Sequence, residues 1–237
     1  MRSFYLLIVF NLVTITTQGQ GITSVLDPST NPGEVLVEFD ARNSDLEGSF
    51  FINEEWQNAD IYLKTGSILT NMEVRFDLEF ELLEVNLKSQ IKVIPIHKFK
   101  KFIINNDLGH NISYVNCESY KYEDKTPLTG ICEVVDSSYF GMIIKYRYNI
   151  KEPTYVPALD MGTQSPEILI NNDILLLKGS TTFPLPKNKN KFLSLYEPLD
   201  DSVEVFMKRN KINHKNKDNL LQVLNYINSL SQTHLIQ

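Results

Sequence analysis

Residues 72–87, MEVRFDLEFELLEVNL, carry the pattern that decides the fold of this chain. Apolar side chains stand at every even position from Met72 to Leu82, and then at positions 83, 85 and 87. Successive residues of a strand point to opposite faces, so this one-residue change of phase cannot occur inside a regular strand. The pattern predicts two strands separated by a tight turn or a bulge between about Glu79 and Leu83. We favour the turn, which makes the segment a β-hairpin.

Short alternating runs continue on both sides of this hairpin. In residues 140–150, FGMIIKYRYNI, the even positions are apolar or aromatic, while Lys145, Arg147 and Asn149 share the other face. Such runs, bounded by turn formers, are typical of antiparallel sheets. Strands are predicted at residues 59–64, 72–78, 83–87, 91–94, 101–104, 112–118, 130–135 and 140–149, with a last pair in DILLLKG (173–179) and TTFPLP (181–186).

Near the C-terminus the period of the apolar residues changes from strand-like to helical. Short helical turns are predicted around residues 192–196 and 203–207, and a longer amphipathic helix follows Asp218, its predicted N-cap. Before them, residues 151–171 contain three prolines and a glycine and are predicted to form a long connection. These patterns predict a mainly β fold, an antiparallel meander forming a sandwich or an open barrel-like sheet, with a small α-helical C-terminal element.

The N-terminus has the layout of a secretory signal peptide. Arg2 precedes the apolar run FYLLIVFNLVTI (4–15), and the small, polar segment TTQGQG (16–21) follows. Small residues at positions −3 and −1 predict cleavage after Gly19, with Gly21 as the second choice. An uncleaved anchor is the alternative, but the run is shorter than the roughly 20 residues that span a bilayer. We therefore expect an exported protein, periplasmic or secreted after cleavage of the signal peptide.

The predicted organisation has four parts. Residues 1–19 are the signal peptide, and residues 20–47 are an N-terminal segment with one strand, EVLVEFD (34–40). Residues 48–186 form the antiparallel β domain, and residues 187–237 form a helical tail packed on it. After cleavage no apolar run is long enough to span a membrane.

Charge is distributed unevenly along a chain whose formal net charge is −6. Residues 20–160 hold 13 Lys and Arg against 22 Asp and Glu, a net charge of −9, whereas residues 161–237 hold 9 against 7. An acidic body repels phosphate backbones and argues against a nucleic acid partner. An envelope protein or a glycan is the partner class that we consider. The basic excess from Lys187 to Lys217 indicates a solvated helical surface, with a functional anion patch as the alternative.

The two cysteines, Cys117 and Cys132, fall in the predicted strands ISYVNCE (112–118) and GICEVV (130–135). In an oxidising compartment they could close a loop of about 15 residues, worth about 3 kcal/mol. Two buried free thiols are the alternative. Neither arrangement makes a metal site, because further Cys or His residues at ligand spacing are lacking.

Residues 48–85 read GSFFINEEWQNADIYLKTGSILTNMEVRFDLEFELLEV. They resemble a block that occurs in uncharacterised exported proteins of Bacteroidota-type bacteria. The pattern of that block is GSPYL.eeW..G.V.L.DG....v.LRYN.Y.D.LEV. The positions that agree are Gly48-Ser49, Glu55-Trp56, Leu63, Gly66, Val74-Arg75-Phe76 and Leu83-Glu84-Val85. Segments 130–135, 183–196 and 206–230 are similar to later parts of that group, whereas Lys64-Thr65 depart from its pattern. The resemblance implies a secreted or periplasmic, β-rich protein with a helical C-terminus, and it implies no activity.

Catalytic motifs are absent from the sequence. It contains no GxSxG, HExxH, P-loop or CxxC spacing, so no catalytic or metal-ligating residue is assigned and no cofactor is expected. The remaining candidates are four acids of the predicted hairpin, Glu73, Asp77, Glu79 and Glu81. Two of them could act on a glycosidic bond if their carboxyl groups stood about 5 Å, or about 6.5–9.5 Å, apart. We favour a solvated sheet face, on which Arg75 and lysines balance the acids across strands.

Aromatic side chains cluster at the start of the predicted meander. Trp56 and Tyr62, close to Phe50 and Phe51, could stack on a sugar ring or receive a peptide if they are exposed. We favour the other interpretation, in which Trp56 and the phenylalanines anchor the core of the sheet. The sequence thus favours an exported, non-catalytic module that binds a ligand or serves as a structural component of the envelope. A carbohydrate-active hydrolase that uses a sheet-borne acidic pair is the alternative function.

Overall fold

The computed structural model of the chain describes residues 37–38, 46–88, 90–106, 111–155, 160–161 and 165–234, with side chains from residue 46 to residue 231. This part of the chain forms one twelve-stranded, mostly antiparallel sheet, which is not closed, and three helices. The predicted mainly β class with a helical C-terminal element is confirmed. The predicted signal peptide and its cleavage site lie outside the described residues.

The described part of the chain contains twelve strands. They are β1 Val37–Glu38, β2 Gln57–Leu63, β3 Ile68–Asp77, β4 Leu82–Asn86, β5 Ile91–Pro95, β6 Phe99–Ile104, β7 Ile112–Asn116, β8 Lys121–Tyr122, β9 Ile131–Asp136, β10 Met142–Lys151, β11 Glu167–Lys178 and β12 Thr181–Pro184. Their order across the sheet is β1-β5-β4-β3-β2-β6-β7-β9-β10-β11-β12-β8, and β12 with β8 is the one parallel pair among the described strands. Of the predicted strand EVLVEFD, only β1 lies within the described residues.

Strands β3 and β4 form the predicted hairpin. Their register places Phe76 opposite Leu83 and Val74 opposite Val85, and residues 78–81 make the turn between them. Glu81 closes this turn with a φ of +52°. The change of phase in the sequence is therefore absorbed by a turn, and the apolar side chains of both strands face the same core.

Strand β10 pairs with β11 along its full length, from Met142 opposite Leu176 to Lys151 opposite Glu167. The prediction that residues 167–171 belong to a long connection was wrong, because β11 begins at Glu167. Polar residues at positions 171–173 interrupt the apolar pattern of β11, and the backbone pairing with β10 continues through them. Residues 156–159 and 162–164 of the predicted connection lie outside the described residues.

The main core lies on one face of the sheet, which we call the inner face. It is filled by side chains of β2–β7, and four of its aromatic rings are in contact, with centroids 4.9–6.4 Å apart: Phe76, Phe99, Phe102 and Tyr114. Aromatic side chains of β10, Tyr146 and Tyr148, pack against the same core. The sheet therefore curves until its β10 region faces its β3 region.

Residues 46–52 cross between these two regions of the sheet. The backbone N–H of Glu47 donates to the carbonyl of Pro166 beside β11, and the N–H of Leu78 donates to the carbonyl of Phe50. The buried Phe50 ring meets Tyr148 edge-on, with the centroids 4.9 Å apart. This segment thus covers the inner core and links distant parts of the sheet.

Three helices follow the sheet: α1 Lys189–Ser194, α2 Asp200–Arg209 and α3 Lys217–His234. They form a second core with Phe140, Met142 and Leu176 at one end of β10 and β11. The predicted N-cap of α3, Asp218, was wrong by two residues. Asn216 caps this helix, since its Oδ1 accepts the N–H of Asn219 at 3.0 Å, and Asp218 lies in the first turn. None of the helices in the described part combines the length and hydropathy that a membrane span requires.

A disulfide joins Cys117 and Cys132, whose Cα atoms are 5.8 Å apart. This pairing decides between the two alternatives that the sequence leaves open. Strand β7 ends at Asn116, two residues earlier than predicted, because the Asn116 Oδ1 accepts the N–H of Glu118 at 3.1 Å and starts a short 3-10 turn. Both cysteines are fully buried in a third cluster, in which Leu128 covers the outer face of β10 and β11.

Candidate functional site

The four candidate acids of the hairpin lie at the end of β3 and in its turn. Glu73 and Asp77 share one face of β3 but are four residues apart, which is roughly 13 Å along a strand. That separation exceeds the upper limit of about 9.5 Å for a glycosidase pair. Glu73 accepts a hydrogen bond from the amide of Asn86 at 2.8 Å, and Glu79 and Glu81 are exposed. The β3 spacing therefore does not provide a catalytic pair.

Asp77 has a structural role in the turn. Its side chain is buried, with 2% of the residue exposed. Its Oδ1 accepts the backbone N–H of Glu79 at 2.8 Å and that of Phe80 at 3.0 Å. The carboxylate thus satisfies two donors that the reversing chain leaves unpaired, and it holds the hairpin turn together.

We expect Asp77→Asn to lower the free energy of unfolding by about 1.5 kcal/mol, because hydrogen bonds to a charged acceptor contribute about 1.5–3 kcal/mol. Urea denaturation measures this loss, and Glu81→Gln, an exposed change in the same turn, should leave stability within about 0.5 kcal/mol. If the unmodified protein hydrolysed glycans, and Asp77→Asn abolished this activity without a loss of stability, Asp77 would instead be a catalytic acid.

Trp56 lies in a cluster on the outer face of the sheet, which we call the Arg75 cluster: Phe51, Trp56, Arg75 and Glu84. The Cζ atom of Arg75 is 3.9 Å from the Phe51 ring centroid and 4.4 Å from that of Trp56. Its Nε donates to Glu84 Oε2 at 2.7 Å. Phe50 is a core residue as expected, whereas Trp56 is half-buried and packs against a cation outside the inner core.

Tyr62, the second candidate for ligand stacking, is also half-buried on β2. The Nζ atom of Lys101 lies 4.6 Å from its ring centroid. Trp56 and Tyr62 are six residues apart, roughly 20 Å along the chain. Each ring thus has a cation of the same chain against it, and the structure does not bring the two rings together as one stacking platform.

A polar network, which we call the tyrosine network, lies on the inner face between the sheet core and the helices. Tyr146 donates from its hydroxyl to Glu133 at 2.6 Å, and the other carboxylate oxygen of Glu133 is 3.2 Å from the Nζ of Lys217 in α3. The Tyr114 ring lies beside Tyr146, with the centroids 6.0 Å apart. Burial, together with the negative charge of Glu133, raises the pKa of Tyr114 to about 12. Burial and the bond to Glu133 also raise the pKa of Tyr146.

These shifts predict a loss of stability in alkaline solution. The pKa of Tyr114 is about 12 in the folded protein against an ordinary value of 10.0, so its protonated form is favoured by folding. This contribution is complete below pH 10 and is lost as the pH rises towards 12. Urea denaturation across this range measures the effect.

The control for this prediction is Tyr114→Phe/Tyr146→Phe, which removes both phenols and leaves the lysines to titrate. This variant should show a flatter decline of unfolding free energy above pH 10. Parallel declines in the variant and the unmodified protein would show that the tyrosines do not carry the effect.

Several lysines surround a depression of about 440 Å³ on the helical part of the molecule, which we call the lysine basin. Five lysines border it: Lys187, Lys189, Lys208, Lys211 and Lys215. Met207, Ile212 and His214 contribute to its lining. The chain therefore converges on the basin from the segment before α1, the end of α2 and the loop between α2 and α3.

The floor of the lysine basin is rigid. The His214 ring is buried, stacks on Phe192 with centroids 4.8 Å apart, and bonds through Nε2 to the carbonyl of Pro186 at 2.9 Å. A carbonyl oxygen only accepts hydrogen bonds, so Nε2 carries the proton. Because Pro186 precedes Lys187, this bond ties the α2–α3 loop to the first lysine-bearing segment.

The charges of the basin are only partly neutralised. Glu204 is 3.1 Å from both Lys189 and Lys208, and these two ammonium groups lower the pKa of its carboxyl group. Within the described residues, Lys187, Lys211 and Lys215 form no ion pair with a carboxylate. The basin therefore presents unpaired positive charge on a protein whose net charge is −6.

The spacing of lysines and asparagines in the sequence indicates this basin, whereas a count of charges alone does not. Lysine alternates with asparagine in KNKNK (187–191) and recurs in KRNKINHKNK (208–217). The asparagines Asn188 and Asn216 cap α1 and α3. Both lysine-rich segments thus lie at helix ends, and packing of the helices brings them together.

Among the described residues, no three His, Cys, Asp or Glu side chains are close enough to hold a metal ion. Comparison of the chain with protein-family models, with curated proteins and with solved structures finds no match. The resemblance to exported proteins of Bacteroidota-type bacteria stays a prediction. The candidate site thus rests on the geometry of this chain alone.

Proposed function

We propose that this protein is an exported, non-catalytic binding module that takes an anionic ligand at the lysine basin. The observation that carries the proposal is the depression of about 440 Å³ bordered by five lysines, three of which have no carboxylate partner among the described residues. Like charges held close together repel one another, and a bound anion relieves that repulsion. The mostly antiparallel sheet provides the scaffold that holds the basin.

Export is supported by the signal-like N-terminus and, more weakly, by the disulfide, because disulfides persist in oxidising compartments. A ligand from outside the cytosol, such as an acidic glycan or another anionic component of an envelope, suits such a location. The hydrolase alternative has less support, because Glu73 and Asp77 are too widely spaced and Asp77 is bonded within its turn.

Export predicts a defined N-terminus. The protein recovered outside the cytosol should begin at Gln20, or at Ile22 if cleavage follows Gly21. N-terminal sequencing by mass spectrometry checks this. Recovery of the chain from the cytosol with Met1 intact would contradict export and leave binding at the lysine basin to be judged by its own test.

Retention of the exported chain on heparin-agarose and phosphocellulose tests anion binding. We expect the unmodified protein to be retained at about 0.15 M salt, where interactions between distant charges are largely screened. The triple variant of the basin, Lys187→Gln/Lys211→Gln/Lys215→Gln, should elute at a lower salt concentration than the unmodified protein. The matched control is Lys100→Gln/Lys121→Gln/Lys178→Gln, which removes the same charge from exposed positions of the sheet.

The control triple variant should elute with the unmodified protein. Passage of the unmodified protein through both matrices would overturn the proposal. An equal loss of retention in the two triple variants would also overturn it, because overall charge, and not the basin, would then govern binding.

A further inference from the structure

We infer that the ligand of the lysine basin is a compact anion with two or more phosphate groups. This inference rests on the proposed function and specifies the chemistry of the same site. It depends on the spacing of the lysines, the types of side chain in the lining and the shape of the depression.

The ammonium groups are held close together. Lys189 and Lys208 both lie 3.1 Å from the same oxygen of Glu204, so their Nζ atoms are at most about 6 Å apart. Lys187, Lys211 and Lys215 border the same depression. One carboxylate thus pairs with two of the five lysines, and a ligand must bring several negative charges into a small volume to balance the other three.

The kind of donor favours phosphate. Every cation in the lining is a lysine, whose ammonium group is a compact point charge with three rotatable donors, and lysine commonly binds phosphate in this way. A phosphate group carries about −1.5 to −2 charges at neutral pH and three acceptor oxygens. Two linked phosphates therefore supply the charge density that five lysines require, whereas a carboxylate or a sulfate ester carries a single negative charge per group.

The lining offers little to a sugar ring or a nucleobase. Its one aromatic side chain, His214, is buried and already stacked on Phe192. The Oδ1 of Asn213 accepts the N–H of Lys215 at 3.1 Å, which leaves the amide nitrogen of Asn213 as a further donor towards the basin. The polar lining thus consists mainly of hydrogen-bond donors, which suits a ligand made of acceptor oxygens.

Substitution of Glu204 is expected to strengthen phosphate binding, whereas substitution of the lysines is expected to weaken it. The carboxylate of Glu204 occupies Lys189 and Lys208 and repels an incoming anion. Glu204→Gln should therefore strengthen phosphate binding about threefold or more, because it removes the negative charge that neutralises two of the lining lysines. The triple variant Lys187→Gln/Lys211→Gln/Lys215→Gln should weaken it about tenfold or more. These opposite changes cannot both arise from loss of folding.

Isothermal titration calorimetry with tripolyphosphate at about 0.15 M salt is the decisive measurement. We expect saturable, one-to-one binding by the exported chain, and at least about tenfold weaker binding of orthophosphate, which carries a single phosphate group. Lys100→Gln/Lys121→Gln/Lys178→Gln should bind like the unmodified protein. Phosphorus NMR of the mixture should show tripolyphosphate unchanged, and its hydrolysis would overturn the non-catalytic part of the proposed function.

The source of the phosphate groups is resolved by a second arm with phosphatidylcholine vesicles that contain phosphatidylinositol 4,5-bisphosphate, a lipid with more than one phosphate group. Vesicle binding that tripolyphosphate displaces would support a membrane-borne phosphate ligand at the basin, and tripolyphosphate binding without vesicle binding would support a soluble one. Retention on heparin without tripolyphosphate binding would overturn the phosphate inference and leave the proposed function standing. Failure of heparin, phosphocellulose and tripolyphosphate alike would overturn both.

Discussion

Arg75→Met is expected to lower the free energy of unfolding by about 3 kcal/mol, near the lower end of the cost of removing one partner from a buried ion pair. The Glu84 side chain is 8% exposed and that of Arg75 is 23% exposed. Without the guanidinium group, the carboxylate of Glu84 stays largely out of water with no cation beside it. Methionine retains much of the aliphatic volume, so the loss reports charge and hydrogen bonding more than packing.

The Arg75 cluster also gives this prediction a spectroscopic readout. Trp56 is the one tryptophan of the chain, and the Cζ atom of Arg75 lies 4.4 Å from its ring centroid. Removal of the cation should change the fluorescence of the folded protein before unfolding begins. Urea denaturation followed by this fluorescence measures both the local change and the loss of stability.

Two further variants separate the buried pair from ordinary surface charge. Arg147→Met removes an arginine whose pair with Asp173 is exposed, at 51% and 45% of the two side chains, and should cost less than about 1 kcal/mol. Arg75→Met/Glu84→Leu should recover most of the stability, because no buried charge is left unpaired. Equal losses in the Arg75 and Arg147 single variants would show that the Arg75 cluster is not energetically special.

The pairing of Arg75 with Glu84 illustrates how far the sequence predicts this fold. A turn between Glu79 and Leu83 restricts the register of the hairpin, and the register observed places Arg75 directly opposite Glu84. The period-two pattern of apolar residues was strong in β3, β4 and the second half of β10, so these strands could be predicted. The phase change was equally informative, because it has few physical explanations.

Elements that depend on pairing rather than on hydrophobic pattern could not be placed in the same way. The first half of β11, from Glu167 to Asn171, has only the short apolar run 168–170, and its pairing with β10 identifies it as a strand. The start of α3 had two suitable capping residues close together. Only the geometry of the Asn216 side chain, which reaches the N–H of Asn219, decides between Asn216 and Asp218.

The candidate site was the least predictable feature, because it is assembled from segments distant in sequence. The charge count identified a basic excess between Lys187 and Lys217 but could not tell a solvated helix from a concave surface. The convergence of Lys189 and Lys208 on one oxygen of Glu204 depends on the packing of α1 against α2. Conversely, Trp56 and Tyr62 were suggested by their residue type, and the structure places a cation against each ring.

Cys117→Ala/Cys132→Ala is expected to lower the free energy of unfolding by about 3 kcal/mol, the amount that loop entropy predicts for a cross-link closing about 15 residues. The sequence separation of the two cysteines is 15. The loop carries Leu128 onto Ile143 and Leu175 at the outer face of the sheet, so a less constrained loop also holds this third cluster less firmly. Urea denaturation gives the loss from the midpoint and slope of the transition.

Reduction of the unmodified protein provides the matched control for this variant. With tris(2-carboxyethyl)phosphine present, the unmodified chain should lose stability towards that of the double alanine variant, whose own transition should not respond to the reductant. Thiol titration in denaturant must find no reactive thiol before reduction and two afterwards, since the described cysteines are both bonded. A midpoint that does not move when both thiols have been released would show that the cross-link contributes nothing to folding, and the third cluster would then have to be held by the packing of Leu128 alone.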